Sequence, residues 1–125
     1  MTERLKRIRK FETGATRGTL NNKLQYEGFL SPLVLKHYAE YLHKHRVQAD
    51  GALREPDNWQ KGIPKETYAD SLLRHVMDVW LHHKGFGKEA TESLNDALCG
   101  VMFNAMGYLF EMLRKEYVNE PKRKA

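Results

Sequence analysis

Cysteine is nearly missing from this chain: Cys99 stands alone among 125 residues. A single cysteine closes no internal disulfide, which suits a reducing cytoplasm, and zinc-finger spacing is absent. Cys99 lies in an apolar helical run and reads as a small core residue rather than a nucleophile. Long apolar runs are missing too. None reaches the roughly 18 residues needed to span a bilayer, so no membrane partner is expected. The first ten residues are basic but lack the apolar stretch of a signal peptide. Strand patterning is absent apart from a marginal run at 24–30. There is also no Gly-rich phosphate loop and no aromatic-studded strand, so outside the basic ends nothing points to nucleic acid as a partner.

Positive charge, by contrast, is in excess at +5, but it sits at the ends. Residues 1–10 carry five Lys or Arg against one Glu, and Lys122-Arg123-Lys124 closes the chain. Without these two segments 13 basic residues face 15 acidic ones, a net −2, so the body has no basic excess. Such tails solubilise a chain or dock on nucleic acid or an acidic partner. A hydrophobic share of 41% with 30% charged residues describes one globular domain, 1–125, with 1–10 and 119–125 as flexible basic tails. That length buries a real core yet leaves room for oligomerisation to help.

The periodicity is helical. Beyond a short basic helix at 3–11, residues 1–28 read as a lead-in punctuated by Gly14, Gly18 and Gly28. Ser31-Pro32 is a helix start, N-cap then first helical residue, and the stripe Val34, Leu35, Tyr38, Tyr41, Leu42 carries that helix to about residue 46. Residues 47–64, with Gly51, Pro56, Gly62 and Pro64, form a long loop, a length that is usually functional or disordered. A second helix runs from about 64 to 83, with Tyr68, Ala69, Leu72, Leu73, Val76, Val79 and Trp80 on its apolar face, and Gly85 and Gly87 end it. A third starts at about 89–93 and runs to about 117. It is apolar almost all round from 97 to 113 and should be the most buried element. The expected fold is all-α, a small bundle of about three main helices with a long lead-in and an ordered loop. The third helix would find only two partners of comparable length in one chain, so a homodimer sharing one core is expected.

Two polar stripes interrupt the apolar pattern. At about 100° per residue, Asp96, Gly100, Asn104, Gly107 and Glu111 fall within roughly 80° of the third helix, with Arg114 at the edge. Each mid-helix Gly costs about 1 kcal/mol relative to Ala, so either another helix or a ligand approaches closely there. Asn104, if buried, needs hydrogen-bond partners. On the second helix Asp70, Ser71, Arg74, His75, Asp78 and His82 lie opposite the apolar face. They form either a solvated surface or a site in which Arg74 forks onto a phosphate and Asp78 or His75 reaches a divalent cation. Glu89, Glu92 and Asp96 gather where the third helix begins, as dipole-complementing caps or as Mg²⁺ ligands. Trp59 is either an anchor for the loop or a stacking platform for a base.

Several segments together carry a resemblance: Phe11-Glu12-Thr13-Gly14-Ala15-Thr16-Arg17, Lys23, Tyr26-Glu27-Gly28-Phe29, Leu30-Ser31-Pro32, Asp57-Asn58-Trp59-Gln60-Lys61-Gly62-Ile63-Pro64, Arg74-His75, Ala97-Leu98-Cys99, Phe103-Asn104 and Gly107-Tyr108-Leu109. In this order they resemble the phage dATP/dGTP diphosphohydrolase family and, more broadly, the all-α nucleotide pyrophosphohydrolases. The resemblance implies a Mg²⁺- or Mn²⁺-dependent enzyme of phage nucleotide metabolism in the host cytoplasm. It would cleave a purine deoxynucleoside triphosphate (dNTP) to the monophosphate and pyrophosphate. It assigns metal binding to Asp78, Glu92 and Asp96 and catalytic roles to His75 and Asp78. Substrate contacts fall to Lys23, Asn58, Trp59, Arg74 and Asn104. The chain also departs from the family pattern. Gly18 follows Arg17 where an acidic residue is usual, Asn22 precedes Lys23 where Gly is common, and positions 97 and 100 hold Ala and Gly near a usual His. These departures motivate an alternative: a non-catalytic phage accessory protein that binds a nucleotide or a host protein, anti-defence roles included.

Overall fold

The computed structural model describes residues 8–18 and 22–118, and among these the chain is mostly helical, with four helices and one two-stranded sheet. Most of both basic ends, and all but the last four residues of the helix expected at 3–11, lie outside the described residues. The backbone gathers into two compact units, residues 1–36 and 37–125.

In the first unit, β1 (Ile8–Lys10) pairs antiparallel with β2 (Thr16–Gly18), Arg9 opposite Arg17. This corrects the helix expected through residue 11. The turn closes through Phe11, whose amide donates to the Ala15 carbonyl at 2.9 Å, and Gly14 takes the positive φ of 90° that the reversal requires. The run at 24–30 is a single helical turn, α1 (Tyr26–Phe29), rather than a strand. Ser31 caps α2 (Pro32–Lys44): its Oγ accepts from the Val34 amide at 3.2 Å.

The second unit holds α2 from His37 onward, α3 (Lys65–His83) and α4 (Leu94–Val118). Tyr38 and Tyr41 of α2 pack with Cys99 of α4, flanked by Leu42, Met102, Phe103 and Met106. The Tyr38 hydroxyl donates to Met106 Sδ at 3.6 Å. Cys99 is buried, and burial raises its thiol above the ordinary cysteine value, consistent with a core residue.

Residues 45–64 are ordered by their own hydrogen bonds. Val47 and Leu53 form an antiparallel bridge, with Gly51 at φ 86° in the turn between them. Asn58–Lys61 coil into one 3₁₀ turn that Arg114 holds by donating to the Gln60 carbonyl at 2.6 Å. Trp59 packs edge-on against Phe110 at 4.9 Å and Phe103 at 6.0 Å. Trp59 is thus the anchor that lays the loop on α4.

The helices α3 and α4 pack antiparallel, with Tyr68 against Gly107 and His75 against Gly100. A Cβ on either glycine would fall inside the facing ring, so both glycines serve helix approach. Much of the polar stripe of each helix thus lies at the seam, while Asp70 and Arg74 of the α3 stripe remain exposed. Part of the apolar pattern turns outward: Leu73 is 67% exposed, Trp80 57% and Leu109 57%, with Val76, Leu98 and Met112 also exposed, while Tyr68, Ala97 and Cys99 are buried. The expectation that α4 is the most buried element holds, with Ala97, Cys99, Gly100, Asn104 and Gly107 buried along it, whereas Leu73, Val76 and Trp80 of α3 are exposed and do not cover a core. Of α3, only Tyr68 and Asp78 are fully buried.

Candidate functional site

The inward polar face of α3 first does structural work. Asp78 is 5% exposed and accepts from Thr91 twice, from the amide at 3.1 Å and the hydroxyl at 2.6 Å. The Thr91 hydroxyl bond holds its carboxyl below the ordinary carboxylate value against the opposing effect of burial. His82 Nε2 donates to the Glu92 carbonyl at 2.7 Å, and His75 Nδ1 bonds the Glu92 carboxylate. Three side chains one turn apart on α3 therefore pin residues 91–92, which deliver the chain into α4. Ser93 caps that helix, its Oγ accepting from the Asp96 amide at 3.2 Å.

Above these contacts opens a cavity of about 430 Å³, built wholly from the second unit. Asn58 and Trp59 line it from the loop, Ser71 and His75 from α3, Phe103 and Asn104 from α4. Tyr41 adds an aromatic wall from α2, and Arg46 and Arg54 stand in its lining from the far end of the loop. Asn104 is 5% exposed and donates one amide N–H to the Gly100 carbonyl at 2.7 Å, one bond of the several an amide can make. Burial, then the nearby Glu92 and Asp96 carboxylates, push the Tyr41 hydroxyl up to about 12, so it remains a neutral donor at physiological pH. The Glu92 bond fixes a proton on His75 Nδ1 when the ring is neutral, leaving Nε2 as its acceptor.

The residues singled out in the sequence thus separate into two groups. Asn58, Trp59, His75 and Asn104 share one cavity. Arg74 is exposed on α3 and does not line it, and Lys23 belongs to the first unit. The carboxylates assigned to Mg²⁺ or Mn²⁺ are each engaged separately: Asp78 by Thr91, Glu92 by His75, and Asp96 by Lys44 Nζ at 2.8 Å. No group of three His, Cys, Asp or Glu among the described residues is placed to hold a metal ion. Within one chain, then, Asp78, Glu92 and Asp96 do not fit a shared divalent cation. Asp78 is also absent from the cavity lining, which leaves it no contact with a substrate bound there.

The sequence reading missed Arg46, Arg54 and Tyr41. A signal for the arginines exists: Asp50-Gly51 between Val47 and Leu53 is a hairpin cue, and closing that hairpin sets Arg46 beside Arg54. None of the described helices is long and apolar enough to cross a membrane. Comparison of the chain with protein-family models, curated proteins and solved structures finds no match.

Proposed function

We propose that the second unit binds a purine deoxynucleotide in this cavity and that the chain works as a nucleotide-binding accessory protein, in keeping with the resemblance to the phage diphosphohydrolases. The observation that carries the reading is the convergence of Asn58, Trp59, His75 and Asn104, drawn from three separate segments, on one cavity. Its volume lies within the range of about 300–1,000 Å³ usual for small-molecule sites. Phe103, Trp59 and Tyr41 offer flat apolar surface to a base, and the two amides offer paired donors and acceptors to its edge. The individually engaged carboxylates favour binding over metal-dependent hydrolysis.

The second reading is the pyrophosphohydrolase itself, using Mg²⁺ or Mn²⁺. One observation favours it: the His75–Glu92 pair at the cavity is the arrangement that orients an imidazole as general base. One experiment separates the two. Thermal shift with dATP, dGTP and their ribonucleotide counterparts is run beside a pyrophosphate-release assay in Mg²⁺ and Mn²⁺. Ligand at a hundredfold excess over Kd stabilises by about 2.7 kcal/mol, so a bound purine dNTP raises Tm by several degrees. A shift without pyrophosphate supports the binder, and robust pyrophosphate release replaces it with the enzyme. No shift and no product with any nucleotide sinks both and turns attention to a host protein.

The outward apolar faces of α3 and α4 support a homodimer. Toward one end of α3 lie the acidic Glu66 and Asp70 beside Lys65, and at the other lie the basic His83 and, just past the helix, Lys84. A second copy packed antiparallel across a twofold axis would set acid against base while covering Leu73, Val76 and Trp80. Sedimentation at low micromolar concentration should report twice the chain mass; a monomer there rejects the pairing.

A further inference from the structure

We propose that Arg46 and Arg54 form the phosphate-binding end of the cavity. This inference rests on the nucleotide reading above but adds an anion site distinct from Arg74 and Lys23, to which the resemblance assigns substrate contacts. The two guanidiniums are crossed over the Val47–Leu53 bridge. Arg46 Nε donates to the Arg54 carbonyl at 2.7 Å, and Arg54 Nη1 donates to the His45 carbonyl at 2.7 Å. The Arg54 amide closes the set by donating to the Arg46 carbonyl at 2.8 Å. Each guanidinium thereby spends one N–H on orientation and keeps the others for a ligand, and both line the cavity. A planar fork held in place before binding is what bidentate phosphate recognition requires, because little side-chain entropy remains to be lost.

The positions are also right in kind. Arg54 is exposed and Arg46 half-buried, so their charges sit where a phosphate chain keeps contact with water, while the aromatic wall and Asn104 lie deeper. Among the described residues Glu55 is the one carboxylate in the lining, against two permanent cations, which leaves this end net positive. Among the described residues no carboxylate pairs with either arginine: the salt bridges there are Lys44–Asp96, His75–Glu92 and Arg114–Glu111. Both guanidiniums are held by carbonyl oxygens, which orient a cation without cancelling its charge.

Calorimetric titration of the full chain with deoxyadenosine, dAMP, dADP and dATP, and separately with inorganic tripolyphosphate, tests the site. Affinity should climb with each added phosphate, and tripolyphosphate alone should bind. In Arg46→Gln/Arg54→Gln the climb should flatten, with dATP losing at least about tenfold, while deoxyadenosine binding is unchanged. Because both arginines also brace the loop, Arg46→Lys/Arg54→Lys is measured beside it. Keeping charge but losing the fork, it should fall between the two. Equal dATP affinity in wild type and both double variants, or a climb flattened by Arg74→Gln instead, overturns the proposal. Failure of deoxyadenosine and all the nucleotides to bind, with tripolyphosphate still captured through the arginines, rejects the nucleotide reading and leaves the anion site standing.

Discussion

The inner seam of α3 and α4 is more polar, and their outer face more apolar, than is usual for an amphipathic helix pair. Between the helices lie Asp78, His75, His82, Asn104 and two glycines; on the outside lie Leu73, Val76, Trp80, Leu98, Leu109 and Met112. The inner seam is polar because it must hold the connection at residues 91–92 and line a cavity, and each of those tasks needs hydrogen-bonding groups. Its packing comes from close approach, with Tyr68 and His75 seated over bare backbone. The outer face has no such tasks, and its apolar area remains available to a second copy. Specificity in this pair thus resides in the seam, whereas the outer face offers area.

The largest test of that contrast substitutes the same residue on both faces of α4. Gly107→Val drives a side chain into the Tyr68 ring and should cost about 3 kcal/mol or more, since a helix must shift to admit it. Ala105→Val, on the exposed side, should stay within about 0.5 kcal/mol in the monomer. Urea denaturation of the two variants at one protein concentration decides the matter; equal losses would mean that the seam is not tightly packed.

Next in size is the Asp78–Thr91 bracket. Thr91→Val removes the hydroxyl donor and should cost about 1–3 kcal/mol by leaving a buried carboxylate short of a partner. Asp78 has a folded value below its ordinary 3.8, so its contribution is present above that value and is lost as pH falls through the lower, folded one. Stability curves for wild type and Thr91→Val, traced from neutral pH to below 3.8, should therefore converge at the acid end. A constant gap at every pH would show that the hydroxyl acts through packing alone.

Smaller is the Tyr68 hydroxyl, which is buried with no hydrogen-bond partner among the described residues and shifted above the ordinary tyrosine value by burial. Tyr68→Phe keeps the ring over Gly107 and should leave stability unchanged or raise it by about 1 kcal/mol. A clear loss in thermal melting would reveal a partner for the hydroxyl. The smallest effect on the single chain belongs to the outer face. Leu98→Lys should barely alter monomer stability yet abolish the concentration dependence of Tm if a second copy covers α4. Unchanged concentration dependence would place the partner elsewhere.

Much of the fold was legible residue by residue. Ser31-Pro32 opens α2, and Pro64 and Gly85 bracket α3, because caps and breakers act through local backbone geometry. The β1–β2 hairpin was not legible: its strands are three residues each, too short to display alternation. The candidate site was half legible. Asn58, Trp59, His75 and Asn104 stood out as polar or aromatic residues in unusual settings, and all four reach the cavity. Arg46 and Arg54 did not stand out, since eight residues of separation say nothing until the Val47–Leu53 bridge folds one onto the other.

The sequence by itself determined that this chain is helical, where its long helices begin and end, and which residues share each helical face, for these follow from steric and hydrogen-bonding preferences a few residues in range. Only the tertiary structure decided which face turns inward. Periodicity carries no direction, and the choice came from contacts between distant residues: Asp78 with Thr91, His75 with Glu92, and two aromatic rings over the glycines that let α3 and α4 close.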